Sequence, residues 1–131
     1  MSKDKDSGVW ESGTWEKVEW DFYHQIARKG SSYQGFINAR YEDLVAVFGQ
    51  PRECYDGKVQ VEWLIAFYDE AEDKYIPASI YDWKMTPMYW SRGTYYGYTP
   101  EMITTWHIGG VNLNAVGCIK SAMAQVVRAA A

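Results

Sequence analysis

The sequence is poor in the residues that build metal sites and covalent frameworks. Its 131 residues include two cysteines, Cys54 and Cys118, and two histidines, His24 and His107. Two cysteines do not make a disulfide framework, and neither stands at a metal-ligand spacing from a histidine. We therefore expect two free thiols, with Cys118 on the buried side of a helix, and neither a metal nor another cofactor.

Long hydrophobic runs are also missing. No run approaches the roughly 18 apolar residues that span a bilayer, and residues 1–6 lack the apolar segment of a secretory signal. Together these absences predict a soluble protein with no membrane partner, which we place in the cytoplasm. The sequence also has no nucleophile elbow, no Walker pattern and no pair of zinc-binding histidines, so we expect no catalysis.

Charge of either sign is limited but unevenly distributed. The formal net charge is −4. Residues 83–131 nevertheless carry a net charge of +3, from four bases and one acid: Lys84, Arg92, Lys120, Arg128 and Glu101. A small anionic ligand suits this segment, whereas duplex nucleic acid, which needs a broad basic stripe, is an unlikely partner. A solvated surface whose sign varies along the chain explains the pattern equally well.

Aromatic residues are abundant, at 17% of the chain. A chain of this length buries one core and is too short for two ordinary domains. We expect a flexible lead over residues 1–12 and a single α+β domain over residues 13–131, with a long aromatic loop at 84–100. Loops of this length without periodicity are uncommon in small domains and are usually functional or disordered.

Three tryptophans near the N-terminus, Trp10, Trp15 and Trp20, are spaced five residues apart. Residues 14–22 alternate apolar and charged side chains, which predicts a strand with one irregularity or an arm that packs on a neighbouring molecule. Exposed aromatic surface of this kind is usually covered by a partner, so we expect a homo-oligomer. The simpler alternative is an arm that folds back on its own sheet.

Two runs in the middle of the chain have the pattern of strands. Residues 59–67 alternate apolar side chains with a mixed opposite face, which predicts a half-buried central strand. Residues 75–83 follow an acidic turn at 69–73, so the two runs are expected to pair as an antiparallel hairpin. Because Pro77 cannot donate a hydrogen bond, it should push the beginning of the second strand towards an edge or a bulge.

Two helices and a further strand complete the prediction. Residues 33–37 form a short strand, and residues 41–49 form an amphipathic helix with Asn38 as its N-cap and Gly49 as its stop. A second helix runs from about residue 113 to 128, capped by Asn112 or Asn114, with Gly117 packed closely against a neighbour. The fold class is α+β, a small antiparallel sheet of three or more strands with two helices packed on one face.

Four ordered motifs resemble a family of small accessory proteins encoded by bacteriophages. They are a Tyr-x-Asp-Leu-Val-x-x-Phe-Gly-x-Pro helix at residues 41–51, the pair Glu62-Trp63, an Ile-Tyr-Asp-Trp-Lys strand at 80–84 and Trp-His-Ile-Gly-Gly at 106–110. The resemblance covers roughly residues 35–127. It implies a viral protein acting in the host cell cytoplasm, in counter-defence or host takeover.

Aromatic side chains, glycines and bases in the second half of the chain favour a binding module. Bases stack on aromatic faces, glycines at the start of a helix let an anion approach the backbone amides, and cations hold phosphates. We expect the protein to sequester a small anionic, nucleotide-type host immune signal, with the aromatic loop closing over it. The candidate ligand-binding residues are Trp83, Lys84, Trp90, Arg92, Tyr95, Tyr96, Tyr98, Trp106, His107, Gly109 and Gly110.

Several alternatives stay open at this stage. The same aromatic residues are typical of cores and oligomer interfaces, above all Trp63, Trp83 and Trp106. His107 is either a satisfied buried histidine that fixes the turn before the last helix or a general base oriented by Asp82 or Glu62. The acidic turn at 69–73 also fits an inhibitor that binds a host defence nuclease or effector, and a minor virion component is a third possibility.

Overall fold

The computed structural model describes residues 5–28, 30–54, 58–84 and 99–130, with side chains up to residue 126. Within these residues the fold is α+β, as the sequence predicts, but the sheet is larger than expected, with seven strands and three α-helices. The elements are β1 (Ser7–Trp10), β2 (Gly13–Lys17), α1 (Trp20–Ala27), β3 (Ser32–Asn38), α2 (Tyr41–Phe48), β4 (Arg52–Glu53), β5 (Val61–Asp69), β6 (Lys74–Tyr81), a short 3-10 turn (Pro100–Met102), β7 (Thr105–Gly110) and α3 (Asn114–Ala130).

The predicted hairpin forms the middle of the sheet. The strand order is β1-β2-β5-β6-β7-β3, with β4 beside the start of β5, and all recorded pairings are antiparallel. The acidic turn between β5 and β6 is closed by Asp69, whose Oδ1 accepts hydrogen bonds from the backbone N–H groups of Ala71 and Glu72. An aspartate that bonds the backbone two residues further on is a common turn device.

Pro77 lies where the pairing of β6 changes. On one side it is paired with Ala66 of β5. On the other side the ladder with β7 begins one residue later, at Ala78 opposite Gly110. The first half of β6 is therefore an edge towards β7, as Pro77 predicts, whereas its second half is interior.

Helices α2 and α3 cover one face of the sheet. Leu44 and Phe48 of α2 and Cys118 and Ile119 of α3 belong to one buried cluster with the apolar side chains of β5, β6 and β7. Gly49 ends α2 at a φ of 78°, with its N–H bonded to the Val45 carbonyl, as expected. The predicted arrangement of two helices on a small sheet is thus matched only loosely, because the sheet has seven strands and a third helix is present.

Two details of these helices differ from the prediction, and the cap of α3 agrees with it. Arg40, not Asn38, precedes α2 as its N-cap, and the Asn38 side chain accepts a hydrogen bond from the Thr105 hydroxyl. Asn112 caps α3 by accepting the N–H of Asn114 at 2.8 Å. Gly117 is not packed against a neighbour, since a Cβ built there meets nothing within 4 Å.

The N-terminal segment folds back on its own sheet. Ser7–Trp10 was expected in a flexible lead but forms β1, which pairs with β2. Trp15 packs edge-on against Phe48 and is buried, while Trp10 contacts Phe67. Because the sheet itself covers these rings, they no longer require a neighbouring molecule, and a homo-oligomer stays a prediction.

The third helix, α1, was not expected. It begins at Trp20, inside the stretch that was interpreted as a strand, and packs on the face of the sheet opposite α2 and α3. Tyr23 and Ala27 are its buried residues, in contact with Leu64 of β5 and Val18. No described helix is long and apolar enough to cross a membrane.

Candidate functional site

A cleft of about 230 Å³ lies between α1 and the sheet. It is open to solvent and lined by aromatic rings, hydroxyl groups and one acid. Its lining residues are Trp20, Tyr23, His24, Ser31, Ser32, Val59, Glu62, Leu64, Ser79, Tyr81, Trp83 and Gly109. Several aromatic faces around a small opening are suited to a flat ligand.

Two separate parts of the chain, α1 and the end of β6, supply the aromatic walls of the cleft. Trp20 and His24 lie four residues apart on α1, so they share one side of the helix, and their ring centroids are 3.9 Å apart. Tyr81 ends β6 and Trp83 follows it, with their centroids 6.3 Å apart. Trp20 is 52% exposed and Trp83 is 39% exposed, so both rings present open surface to a ligand.

Positive charge lies over the Trp83 ring. The ammonium groups of Lys58 and Lys84 stand 5.7 Å and 5.6 Å from the Trp83 ring centroid. Arg52 lies 5.8 Å from the Trp20 ring but is also ion-paired with Glu62. Lys58, Lys84 and Arg52 together bring positive charge to the described part of the cleft, and cations beside aromatic rings suit an anionic group on a stacked ligand.

Hydroxyl groups form the floor of the cleft. The Tyr23 hydroxyl is 2.9 Å from Ser31 Oγ, and burial raises the pKa of Tyr23, so this phenol stays protonated at neutral pH. Gly109 keeps the floor open, since a Cβ there would stand 2.6 Å from Ser79 Oγ. Hydroxyls both donate and accept hydrogen bonds, which fits the mixed edge of a nucleobase.

Three of the residues predicted for ligand binding, Trp83, Lys84 and Gly109, are at this cleft. His107 lies beside it, half-buried on the same face of the sheet. The predictions for the aromatic loop fall outside the described residues, and these positions are Trp90, Arg92, Tyr95, Tyr96 and Tyr98.

Trp106 and Gly110 are placed elsewhere. Trp106 is fully buried on the α2 and α3 face, and its indole N–H donates to the Ala39 carbonyl at 3.1 Å. Gly110 is crowded by α3, because a Cβ there would come within 2.6 Å of the Ala115 Cβ. The amides that open α3 bond to Asn112 and Leu113. An anion site at Gly110 and this helix start is thus not supported.

His107 belongs to β7 rather than to a turn before α3. Its ring contacts Tyr33 and Tyr81, with centroids 4.9 Å and 5.7 Å away. Burial lowers the pKa of His107, and the nearby Asp82 opposes this to a smaller extent. The imidazole is therefore predominantly neutral at pH 7.

The two acids proposed to orient His107 have other roles. Asp82 is fully buried, and its carboxylate accepts the backbone N–H groups of Gln60 and Val61 at 2.8 Å and 3.1 Å. Glu62 pairs with Arg52 across β4 and β5. Both carboxylates fix the strand start beside the cleft, and no general-base arrangement around His107 is seen in the described residues.

Sequence reasoning missed the helical half of the cleft. Trp20, Tyr23, His24 and Ala27 follow an i, i+3, i+4, i+7 pattern, which is the signature of an amphipathic helix. The five-residue spacing of the three tryptophans, by contrast, matches neither a strand face nor a helix face well. No local sequence pattern marks Ser31, Ser79 and Lys58 as site residues, because only the pairing of the sheet brings them together.

The described residues contain no cluster of three or more side chains suited to hold a metal ion. Comparison with protein-family models, curated proteins and solved structures finds no match. The resemblance to bacteriophage accessory proteins therefore stays a prediction.

A wider groove of about 670 Å³ runs between β3 and α3. Among its described lining residues Lys120 is the single charged side chain. The smaller cleft combines stacked rings, hydroxyls and two lysines, and is thus the better candidate for a specific ligand.

Proposed function

We propose that this protein binds a small, planar, anionic ligand of the nucleotide type in the cleft between α1 and the sheet, and sequesters it without catalysis. The observation that carries the proposal is the pair of exposed tryptophans, Trp20 and Trp83, at one cleft, with Lys58 and Lys84 beside the Trp83 ring. A base stacks on the rings while its phosphate faces the lysines.

The expected contributions to the binding free energy support this proposal. Stacking of a base on an aromatic side chain contributes about 1–3 kcal/mol, and charge-assisted hydrogen bonds are roughly twice as strong as neutral ones. Binding in the micromolar range corresponds to a free energy of about −8 kcal/mol. One ring and two lysines reach this value only when the floor hydroxyls also bond the edge of the base. The Tyr23, Ser31 and Ser79 hydroxyls line the cleft, and because Tyr23 is bonded to Ser31, that contact requires these hydroxyls to share or exchange a partner.

The biological role rests on the resemblance to bacteriophage proteins. In that setting a binding protein that lacks catalysis acts by mass action, lowering the free concentration of a host immune signal in the cytoplasm. Because each protein copy removes one ligand, such a protein must be abundant. Closure of the aromatic loop over the ligand was part of the prediction and concerns residues outside the described ranges.

Calorimetric titration with the four common ribonucleoside monophosphates tests the proposal. At least one should bind, and Trp83→Ala should weaken that binding by about 5- to 150-fold, the factor that corresponds to 1–3 kcal/mol of lost stacking. The melting temperature should hardly change, because the Trp83 ring is partly exposed.

Tyr75→Ala is the matched control. Tyr75 is 42% exposed, close to the value for Trp83, and lies on the same face at the far end of β6. Its removal should leave nucleotide affinity unchanged. If no nucleotide binds the unmodified protein, or if Tyr75→Ala weakens binding as much as Trp83→Ala, the proposed function is wrong.

The alternative of an acidic inhibitor has less support from the described contacts. In the turn between β5 and β6, Asp69 bonds the backbone and Asp73 accepts a hydrogen bond from the Tyr68 hydroxyl. Two of the acids are thus engaged locally, and Glu70 and Glu72 remain as exposed charge. Such an inhibitor would co-purify with a host protein, and a virion component would be found in purified particles.

A further inference from the structure

A row of aromatic rings crosses the sheet from the cleft to its far edge. Tyr81, His107 and Phe36 are register partners on β6, β7 and β3, so their side chains share one face. Tyr33 joins the row through its ring contact with His107 at 4.9 Å. We call Tyr81, His107, Tyr33 and Phe36 the aromatic ridge.

The outer end of the aromatic ridge is open. Tyr33 is 55% exposed and Phe36 is 50% exposed. Helix α1 packs on β5 and β6, further along the same face. Single exposed apolar residues are ordinary, but an aromatic row that continues a cleft wall forms an extended stacking surface.

The cleft is too small for a ligand much larger than one nucleotide. Its volume of about 230 Å³ lies below the range of roughly 300–1,000 Å³ that is typical of pockets for drug-sized molecules. The remainder of a larger ligand must lie outside the cleft. Tyr81 belongs to both the cleft wall and the aromatic ridge, so the ridge is the direct continuation of the binding surface.

We propose that the aromatic ridge stacks a second base, so that the preferred ligand carries two bases joined through phosphate. This inference rests on the proposed function, because the first base occupies the cleft. Neighbouring strands lie about 4.8 Å apart, so Tyr81 on β6 and its register neighbour Phe36 on β3 are separated by about 10 Å across β7. Two successive stacking positions fit on such a span.

Charge on the ridge is compatible with this ligand. His107 is the titratable group in the middle of the row, and it is faced by Tyr33, Tyr81 and, more remotely, Asp82. As a neutral ring at pH 7 it stacks like the tyrosines. Lys58 and Lys84 stand at the cleft end, where a terminal or linking phosphate would be held.

The test compares one-base and two-base probes on the same protein. AMP and GMP are titrated beside the linear dinucleotides ApA and GpG and the corresponding cyclic dinucleotides. The two-base probe should bind about 5- to 150-fold more tightly than its mononucleotide, as one further stacked base implies. The linear and cyclic arms distinguish a single-stranded fragment from a cyclic signal, since both present the same two bases.

Variants locate the second base. Tyr33→Ala should reduce the affinity for the two-base probe to that for the mononucleotide and leave mononucleotide affinity unchanged, and Phe36→Ala should act in the same direction. Tyr75→Ala again serves as the control on the same face. Melting temperatures of all variants establish that they are folded.

The two proposals fail in different ways. If a mononucleotide binds but neither two-base probe binds more tightly, or if Tyr33→Ala and Phe36→Ala leave two-base affinity unchanged, the ridge is not a second base site, while the cleft assignment stands. If none of the probes binds, the proposed function itself fails and the ridge inference fails with it.

Discussion

The two faces of the sheet use the same residue type in opposite ways. On the α2 and α3 face, Trp63 and Trp106 are 1% and 0% exposed, and their centroids are 5.5 Å apart in an edge-to-face contact. Their indole N–H groups donate to the carbonyls of Gly49 and Ala39. On the α1 face, Trp20 and Trp83 are exposed and stand beside cationic side chains. The contrast separates tryptophans that hold the fold from tryptophans available to a ligand.

Helix length explains the difference between the faces. Helix α3 has 17 residues and α1 has 8, which corresponds to about 26 Å and 12 Å of helix. A short helix on a broad sheet leaves part of that face uncovered. The cleft forms along the edge of α1, where Trp20 and His24 project beyond the buried contact of Tyr23 and Ala27.

The largest expected effect is on the covered face. Trp106→Ala should lower the free energy of unfolding by about 3–5 kcal/mol, because it removes a fully buried ring and leaves the Ala39 carbonyl without its donor. Chemical denaturation measures this loss. Trp83→Ala is the matched change on the open face and should cost less than about 1 kcal/mol. Equal losses for the two variants would remove the distinction between the faces.

A smaller effect is expected where β7 meets α3. Gly110→Val should destabilise the protein by about 1–3 kcal/mol, because the new side chain would overlap Ala115 on the helix and approach the Pro77 carbonyl at 3.1 Å. Gly117→Val on α3 is a useful control, since that position opens onto free space. A neutral Gly110→Val would mean that the start of α3 moves away easily.

The smallest effect concerns pH and the half-buried His107. Its folded-state pKa is lowered, whereas in the unfolded chain it is near 6.5. Protonation therefore favours the unfolded chain: the contribution of neutral His107 is fully present above about pH 6.5 and is lost as the pH falls through the lower folded-state pKa. Denaturation midpoints measured from neutral to mildly acidic pH should fall, and His107→Gln should flatten that slope. An unchanged slope in the variant would assign the pH dependence to other groups.

Much of the covered face was predictable from local patterns. The stripe on α2, Gly49 and the Asn112 cap each follow from short-range rules, and the structure confirms them. The alternation in β5 predicts a strand correctly, but not its half-burial, because residues 63–67 are all buried. Strand β7 was not expected, because glycines are depleted in strands. Here Gly109 leaves room for the Ser79 side chain and Gly110 leaves room for the Ala115 side chain. Neither neighbour can be predicted from the local sequence.

The candidate site was only partly predictable. Trp83 and Lys84 were recognised as an aromatic residue beside a cation, and that juxtaposition is present. The other wall depends on α1 crossing to the opposite face, which brings Trp20 to a strand end more than 60 residues later in the chain. Sequence periodicity indicates a helix but not which face of a sheet it covers. Trp106 was predicted to bind the ligand but is buried in the core. Residue type alone does not tell a buried tryptophan from an exposed one.

A fluorine NMR titration tests the central claim most directly, because it observes both faces in one sample. The protein is labelled with 5-fluorotryptophan, and the resonances are assigned by single Trp→Phe variants. When a nucleotide probe is added, we predict that the Trp20 and Trp83 resonances shift while those of Trp63 and Trp106 stay in place. A titration in which Trp20 and Trp83 do not respond, or in which Trp63 and Trp106 shift as far, would contradict the assignment of the α1 face as the binding surface.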